Sequence, residues 1–457
     1  MGSALRSRMS GVDHAWLRME SPASPMTIVG LLVVEGRLTL AALKRVISAR
    51  FLSYPRFRQR AVADASGAGW WELARDFDLD AHVVPVRLRG ATSQRQLEHL
   101  VGRLASTPLE PSRPLWKFHL VERYGQGSAV IVRIHHCYAD GIALVRVLLS
   151  MTGASIPESR SAPTPGAPLE ASDDAGWSDL LAPVADAFSG GVQHALGRGF
   201  DVAAEAAKLA WMGRDANTRL KRPPGGTKRV AWAQTLPLEE VKAVAGGLDC
   251  SVNDVLVSTA AGALRVYLAA HGERFDGTEP RAVVPVNLRQ GAVASLGNRF
   301  GLVFLDLPLI EHPLERLYEV RRRMAALKGS RQPALAFALL AAIGLGPSIV
   351  QERVSEFLGA NASVVITNVP GPQQPLYLGG QRLREVAFWV PQSAGIGLGL
   401  SLLSFDGRVG FGVMSDAELV PDPARIAAHF NDEFAKLLWI ALMSPWGALG
   451  KPRRRKP

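Results

Sequence analysis

His135-His136-Cys137-Tyr138-Ala139-Asp140-Gly141 follows directly on Ser128-Ala129-Val130-Ile131-Val132-Arg133-Ile134, and this stretch decides how the chain is read. The approach is rich in β-branched residues and is expected to be a strand. Successive side chains of a strand leave opposite faces, so His135 and His136 cannot both look into one cleft. One imidazole can do chemistry while the other packs behind it. Gly141 is expected to allow a tight turn, after which Ile142 to Ser150 resumes as an apolar helix. A histidine at a strand end with a carboxylate four residues later suits a general base on a fixed support. A His-His pair alone is more often structural than catalytic; the full HHxxxDG pattern after such a strand favours chemistry. A metal site built from His135, His136 and Asp140 fits poorly, because the neighbours diverge and no further ligand cluster accompanies them.

The chain has 457 residues, 47% of them hydrophobic and 20% charged. That composition excludes a disordered protein and, at roughly 150 residues per domain, predicts two or three domains. Cys137 and Cys250 have neither CxxC nor metal-ligand spacing, which suggests two free thiols in a reducing compartment. No early apolar run resembles a signal peptide. Met1-Gly2 fails as a myristoylation site because Arg6 stands where Ser or Thr is needed. The net charge is +11, and Lys451, Arg453, Arg454, Arg455 and Lys456 form a basic tail. Such a tail fits an anionic lipid surface, nucleic acid or mere solubility. Ala334 to Val350 is uncharged but short for a membrane span, and Gly344, Gly346 and Pro347 interrupt it. A buried or interfacial helix is expected there.

Residues 1–153 alternate strand-like and helix-like runs. Ile28 to Val34, Lys117 to Glu122 and Ala129 to His136 suggest strands; Leu40 to Phe51 and Gln94 to Ser106 suggest helices. Residues 154–226 form a linker and crossing segment, Pro-, Ser- and Ala-rich to Asp174, helical over Trp177 to Met212, and closed by the basic turn Arg219 to Gly226. Residues 227–450 form a second α/β unit, and 451–457 the tail. Within the second unit Val230 to Leu236 is strand-like and Leu238 to Ala245 helical. Asp249 to Ala270 is a long helix with Ser251 and Asn253 as candidate caps. Ala282 to Leu288 is a strand. Ile396 to Ser404 and Arg408 to Met414 flank Phe405-Asp406-Gly407, a hairpin signal. Gly395, Gly397 and Gly399 would share one strand face, for close packing or for a ligand to approach the backbone.

HHxxxDG resembles the signature of the CoA-dependent acyltransferase superfamily. Met9-Ser10-Gly11-Val12-Asp13-His14-Ala15-Trp16, Asp76-Phe77-Asp78-Leu79-Asp80-Ala81-His82-Val83, Pro114-Leu115-Trp116-Lys117 and Asn253-Asp254 narrow it. With Pro285-Val286-Asn287-Leu288-Arg289, Gly297-Asn298-Arg299-Phe300-Gly301 and Thr367-Asn368-Val369-Pro370-Gly371-Pro372, this ordered set resembles the bacterial bifunctional wax ester synthase/diacylglycerol acyltransferase family. Lys117 departs from that family's acidic position. Similarity starts near Met9, which makes Met9 an alternative start to Met1.

The resemblance implies an α/β fold of two chloramphenicol-acetyltransferase-like domains with mixed sheets, enclosing a central tunnel with HHxxxDG at its middle. It implies transfer of a long-chain acyl group from acyl-CoA to diacylglycerol or a fatty alcohol, with acyl-CoA as substrate and no further cofactor. By the family's pattern His136 is the base and His135 supports it; Asp140 could orient His136 or pair with an arginine such as Arg289, and the superfamily favours the pairing. Asn253 and Asn287 are candidate oxyanion donors, Asn253 having a helix cap as its plainer role; Asp254 is structural, and Asn298 and Asn368 are turn residues. No GxSxG elbow supports a serine acyl-enzyme. A cytoplasmic enzyme peripherally associated with membranes or lipid droplets follows, with the basic tail favouring lipid over nucleic acid. The alternative is a non-catalytic lipid-binding or lipid-droplet protein that keeps the fold, which would release no thiol from palmitoyl-CoA and hexadecanol.

Overall fold

The computed structural model describes residues 6–89, 93–156, 213–275, 279–287, 298, 300–327, 336, 348–392 and 395–443. A small antiparallel sheet of β1 (Arg6–Arg8), β3 (Gln59–Ala63) and β4 (Gly69–Leu73) flanks two larger mixed ones. The first large sheet contains β2 (Thr27–Val34), β5 (Val83–Pro85), β6 (Trp116–Tyr124), β7 (Gly127–His135), β13 (Tyr377–Leu378) and β14 (Gln381–Trp389). Their order is β13-β14-β2-β7-β6-β5. The second contains β8 (Lys228–Trp232), β9 (Leu236–Pro237), β10 (Arg281–Asn287), β11 (Phe300–Asp306), β12 (Val364–Pro370), β15 (Leu398–Phe405) and β16 (Arg408–Asp416). It runs β11-β10-β12-β15-β16-β8, with β9 paired beside β8 on β16. The expected α/β class with two mixed sheets is therefore observed.

Every residue of β2 and β7 is buried, as a strand covered on both faces requires. One face, with Ile28, Leu32, Val130, Val132 and Ile134, packs toward α1 (Gly11–Arg18), α2 (Leu40–Ala49) and α5 (Gly141–Ser150). The other, with Val29, Leu31, Val33 and Ile131, meets Leu97, Leu100 and Val101 of α4 (Gln94–Ala105), the short α3 (Leu79–His82) preceding it. That same cluster includes Val230, Trp232 and Met414 of the second sheet, so apolar packing joins the two sheets. A second core lies under α6 (Leu238–Gly247), α7 (Val252–Ala269), α8 (Pro313–Leu327) and α10 (Pro423–Met443). Inside it Arg316 pairs with Glu433, both almost fully buried.

Several expectations sharpen. The Val230 to Leu236 run is broken into β8 and β9. The Asp249 to Ala270 helix starts at Val252: Ser251 accepts the Asp254 N–H at 3.1 Å and the Asp254 carboxylate accepts the Ser251 N–H at 2.9 Å. This reciprocal box makes Ser251 the cap and places Asn253, the other candidate, inside the first turn. The Asp406-Gly407 hairpin is present, with φ of 47° and 72°. Of the three glycines, only Gly399 lies in β15. A Cβ on Gly397 would stand 2.0 Å from Leu419, so close packing accounts for it. Within 154–226, residues 157–212, including Trp177 to Met212, lie outside the described residues, as do most of Ala334 to Val350 and the basic tail. From Ser348, α9 (Ser348–Asn361) is helical.

Candidate functional site

β7 ends at His135, and its register with Thr27 of β2 fixes where the histidine pair emerges. The two rings do diverge in environment. His135 is fully buried: its Nδ1 accepts the Cys137 N–H at 3.1 Å, which leaves the proton on Nε2, against the Glu20 carboxylate. His136 instead lines a cleft between the two large sheets, with about 860 Å³ of atom-free space including its mouth. Trp16 and Met19 wall it on one side, with Asp140 and Gly141 beside His136. Opposite stand Val283 and Pro285 of β10, Phe300 and Leu302 of β11, and Val365, Thr367 and Asn368 of β12. Leu358, Val390, Pro391 and Ile396 complete an apolar surround. Among these carbon-rich walls the imidazole is an evident proton acceptor.

Trp16 stacks on His136, centroids 4.0 Å apart and planes 20° apart, and fixes the plane of the ring. Burial pushes the His136 pKa down to about 4, against the opposing pull of the Asp140 charge, its own carbonyl and the Asn298 side chain. The imidazole is therefore neutral, with a free lone pair, at cellular pH. Buried Cys137 is pushed well above the ordinary thiol range by desolvation and is not a nucleophile there. Both cysteines are free thiols.

Asp140 acts where the sequence did not place it. Its carboxylate accepts the Ala143 N–H at 2.9 Å and caps α5, in addition to facing His136 electrostatically. Gly141 does not make the expected turn: it opens α5 with ordinary backbone, and an added Cβ would reach Phe388 and Val390 only at 4.0 Å, in the cavity. Asn253 is not at the cavity wall; its Oδ1 accepts from Asn368 Nδ2 at 3.0 Å, one layer behind. Asn287 ends β10 opposite Phe300. Arg289 lies outside the described residues.

Two asparagines expected in turns are part of the site. Asn368 is within β12 and lines the cavity. Asn298 reaches from the second sheet to the first: its Nδ2 donates to Asp13 Oδ1 at 2.8 Å and to the His136 carbonyl at 2.9 Å. Asp13 and Trp16, three residues apart, share a face of α1, a spacing that could have marked them together. Among the described residues no group of three or more His, Cys, Asp or Glu is arranged to hold a metal ion.

The chain matches known proteins over nearly all of its length. Residues 9–256 match the wax ester synthase/diacylglycerol acyltransferase catalytic domain and residues 296–438 the WS/DGAT C-terminal domain. It is 30% identical to a Mycobacterium tuberculosis protein named as a diacylglycerol O-acyltransferase, Rv0895, over 96% of this chain and 92% of that one. Identity to tgs1 of the same species, named for the same activity, is 28%, over 95% and 96% of the two chains. The fold is similar to the wax ester synthase/diacylglycerol acyltransferase of Marinobacter aquaeolei VT8, with a TM-score of 0.71, 21% identity, and coverage of 96% and 100%. It is also similar to a starter condensation domain of rhizomide synthetase solved with C8-CoA, with a TM-score of 0.59, 16% identity, and coverage of 96% and 95%.

Proposed function

Because the chain belongs to the wax ester synthase/diacylglycerol acyltransferase family, we propose that His136 is the general base of its acyl transfer from a long-chain acyl-CoA to diacylglycerol or a fatty alcohol. The enzyme is an acyltransferase; the observation that carries the assignment is the neutral His136 imidazole in a largely apolar cleft between the sheets.

The alcohol hydroxyl gives its proton to His136 while its oxygen attacks the thioester carbonyl. The tetrahedral adduct then collapses, the C–S bond breaks, and the CoA thiolate leaves with that proton. A His136 pKa of about 4, with the Asp140 attraction already counted, makes the imidazolium costly at cellular pH. A long-lived imidazolium is therefore disfavoured, and proton transfer accompanies bond formation. Without the Asp140 charge the imidazolium would be costlier still. Trp16 and His135 serve as supports, Gly141 leaves room at the wall, and Asn253 steadies Asn368. Acyl-CoA enters as substrate; the CoA-bound condensation-domain neighbour supports a fold able to receive it.

His136→Ala should lower CoA release from palmitoyl-CoA by roughly 10²–10⁴-fold with either hexadecanol or diolein as acceptor, the range typical of general acid–base catalysis. Thiol titration beside a circular-dichroism check of folding measures this. A folded variant with near-normal release would remove His136 from the role, and wild-type protein that releases none would favour a non-catalytic lipid binder.

A further inference from the structure

A side-chain amide carries donors at one end and an acceptor at the other, so the neighbours of its nitrogen dictate where its oxygen points. Asn298 Nδ2 lies between two acceptors, Asp13 Oδ1 at 2.8 Å and the His136 carbonyl oxygen at 2.9 Å. The Asn298 backbone N–H donates to the same Asp13 oxygen at 3.1 Å, holding main chain and side chain on one carboxylate. Asp13 and Asn298 are each only 4% exposed. The amide cannot be reversed here without setting oxygen against oxygen twice.

Its Oδ1 is thereby turned away from Asp13. That atom is buried and, among the described residues, has no hydrogen-bond partner, and the buried Nδ1 of His136 has none either. The Nδ2 bond to the His136 carbonyl holds the amide against that residue, and the Asn298 side chain, after the ring's own carbonyl, favours the protonated imidazole. Two buried, unpaired, complementary groups on residues already bonded to one another are expected to close into a hydrogen bond, since leaving each unmade is costly.

We propose that Asn298, locked by Asp13, sets the tautomer of His136: its carbonyl receives Nδ1–H, which leaves the Nε2 lone pair for the hydroxyl of the acyl acceptor. This rests on His136 being the base, and it makes Asn298 a positioning residue. A neutral amide oxygen holds the tautomer without adding the negative charge that would keep the ring protonated. α1 then controls the base twice, its plane through Trp16 and its proton through Asp13 and Asn298. Because Asn298 belongs to the chain leading into the second sheet, the base is set only when the two sheets are docked.

Full-length protein carrying ¹⁵N-labelled histidine tests this through two-bond ¹H–¹⁵N correlations, with the His136 signal assigned by its loss in His136→Ala. The native ring should show a single Nδ1–H form. Asn298→Ala and Asp13→Asn (in which residue 13 becomes able to donate and the Asn298 amide to turn over) should show mixed tautomers. In both, kcat should fall by about 10–100-fold, the usual penalty for losing an outer orienting partner, while KM for palmitoyl-CoA stays within about twofold. A native Nε2–H ring, or a tautomer unchanged in Asn298→Ala, overturns the proposal; if that variant does not fold, Asn298→Asp and the native tautomer decide. His136→Ala retaining thiol release would instead defeat the base assignment, whatever the tautomer.

Discussion

His119 shows what a single buried imidazole does to the molecule away from the cleft. It lies on β6 beside β7, 5% exposed, and among the described residues neither ring nitrogen has a hydrogen-bond partner. Burial, with the Arg133 and Lys117 charges behind it, pushes its pKa down to about 3. A histidine depressed in the folded state keeps its stabilising contribution above its unfolded pKa of about 6.5 and loses it as pH falls toward the folded value. By pH 5 the loss is roughly 2 kcal/mol for His119, and of similar size for His136. Asp13, Glu98 and Glu385, whose carboxyls burial raises, act in the opposite sense. The comparison must therefore be made on one residue. His119→Leu should flatten the fall in stability between pH 6.5 and 4 by up to about 1.4 kcal/mol per pH unit, read from urea midpoints. An unchanged slope would show that His119 does not titrate in that window.

At the scale of elements, α5 ties the motif to helix physics. Asp140 caps it by accepting the Ala143 N–H, and asparagine caps as well as aspartate. Asp140→Asn should therefore keep most of the helix's stability, and Asp140→Ala should lose a further 0.5–2 kcal/mol or so, seen as a lower urea midpoint. Equal losses in the two would mean that the charge of Asp140, rather than its cap, holds the segment. Elements near the motif were legible because their cause is local: β-branched runs give β2 and β7, and Ser251 three residues before Asp254 gives the start of α7. The Asp140 cap was legible in principle, since an acceptor before an apolar helical run is a cap signal. The turn expected at Gly141 distracted from it. What sequence could not reveal was Asn298, whose partners lie 285 and 162 residues away. The strand β14 was unread for a similar reason, its charged first half having no alternation that points to a sheet.

For the whole molecule, the fatty substrates proposed here partition into bilayers, and no helix among the described residues is long and apolar enough to cross one. We propose that the enzyme meets them at the bilayer surface. Trp439, Leu442 and Met443 follow i, i+3, i+4 spacing on the last turn of α10 and are 63%, 62% and 73% exposed. They precede a tail of five basic residues in sequence. Each basic side chain contributes up to about 1 kcal/mol near an anionic leaflet, and salt screens that attraction. Compared in liposome flotation, a chain ending at Gly450 should bind anionic vesicles more weakly than the full chain at low salt and lose less binding as salt rises. Equal flotation of the two at every salt concentration would leave the tail no part in docking.

The strand β14 pairs with β2, Val34 opposite Leu383 and Val29 opposite Trp389, partners about 350 residues apart along the chain. A ribosome adding about 5–20 residues each second delivers one side of that ladder tens of seconds before the other. Through that interval Thr-Ile-Val-Gly-Leu-Leu-Val-Val stands with one row of amides and carbonyls unmet, an apolar edge of the kind that recruits other chains. The nascent protein is expected to need shielding over that interval. A fragment ending at Gly226 should aggregate on expression, and co-expression of residues 227–457 should return part of it to solution.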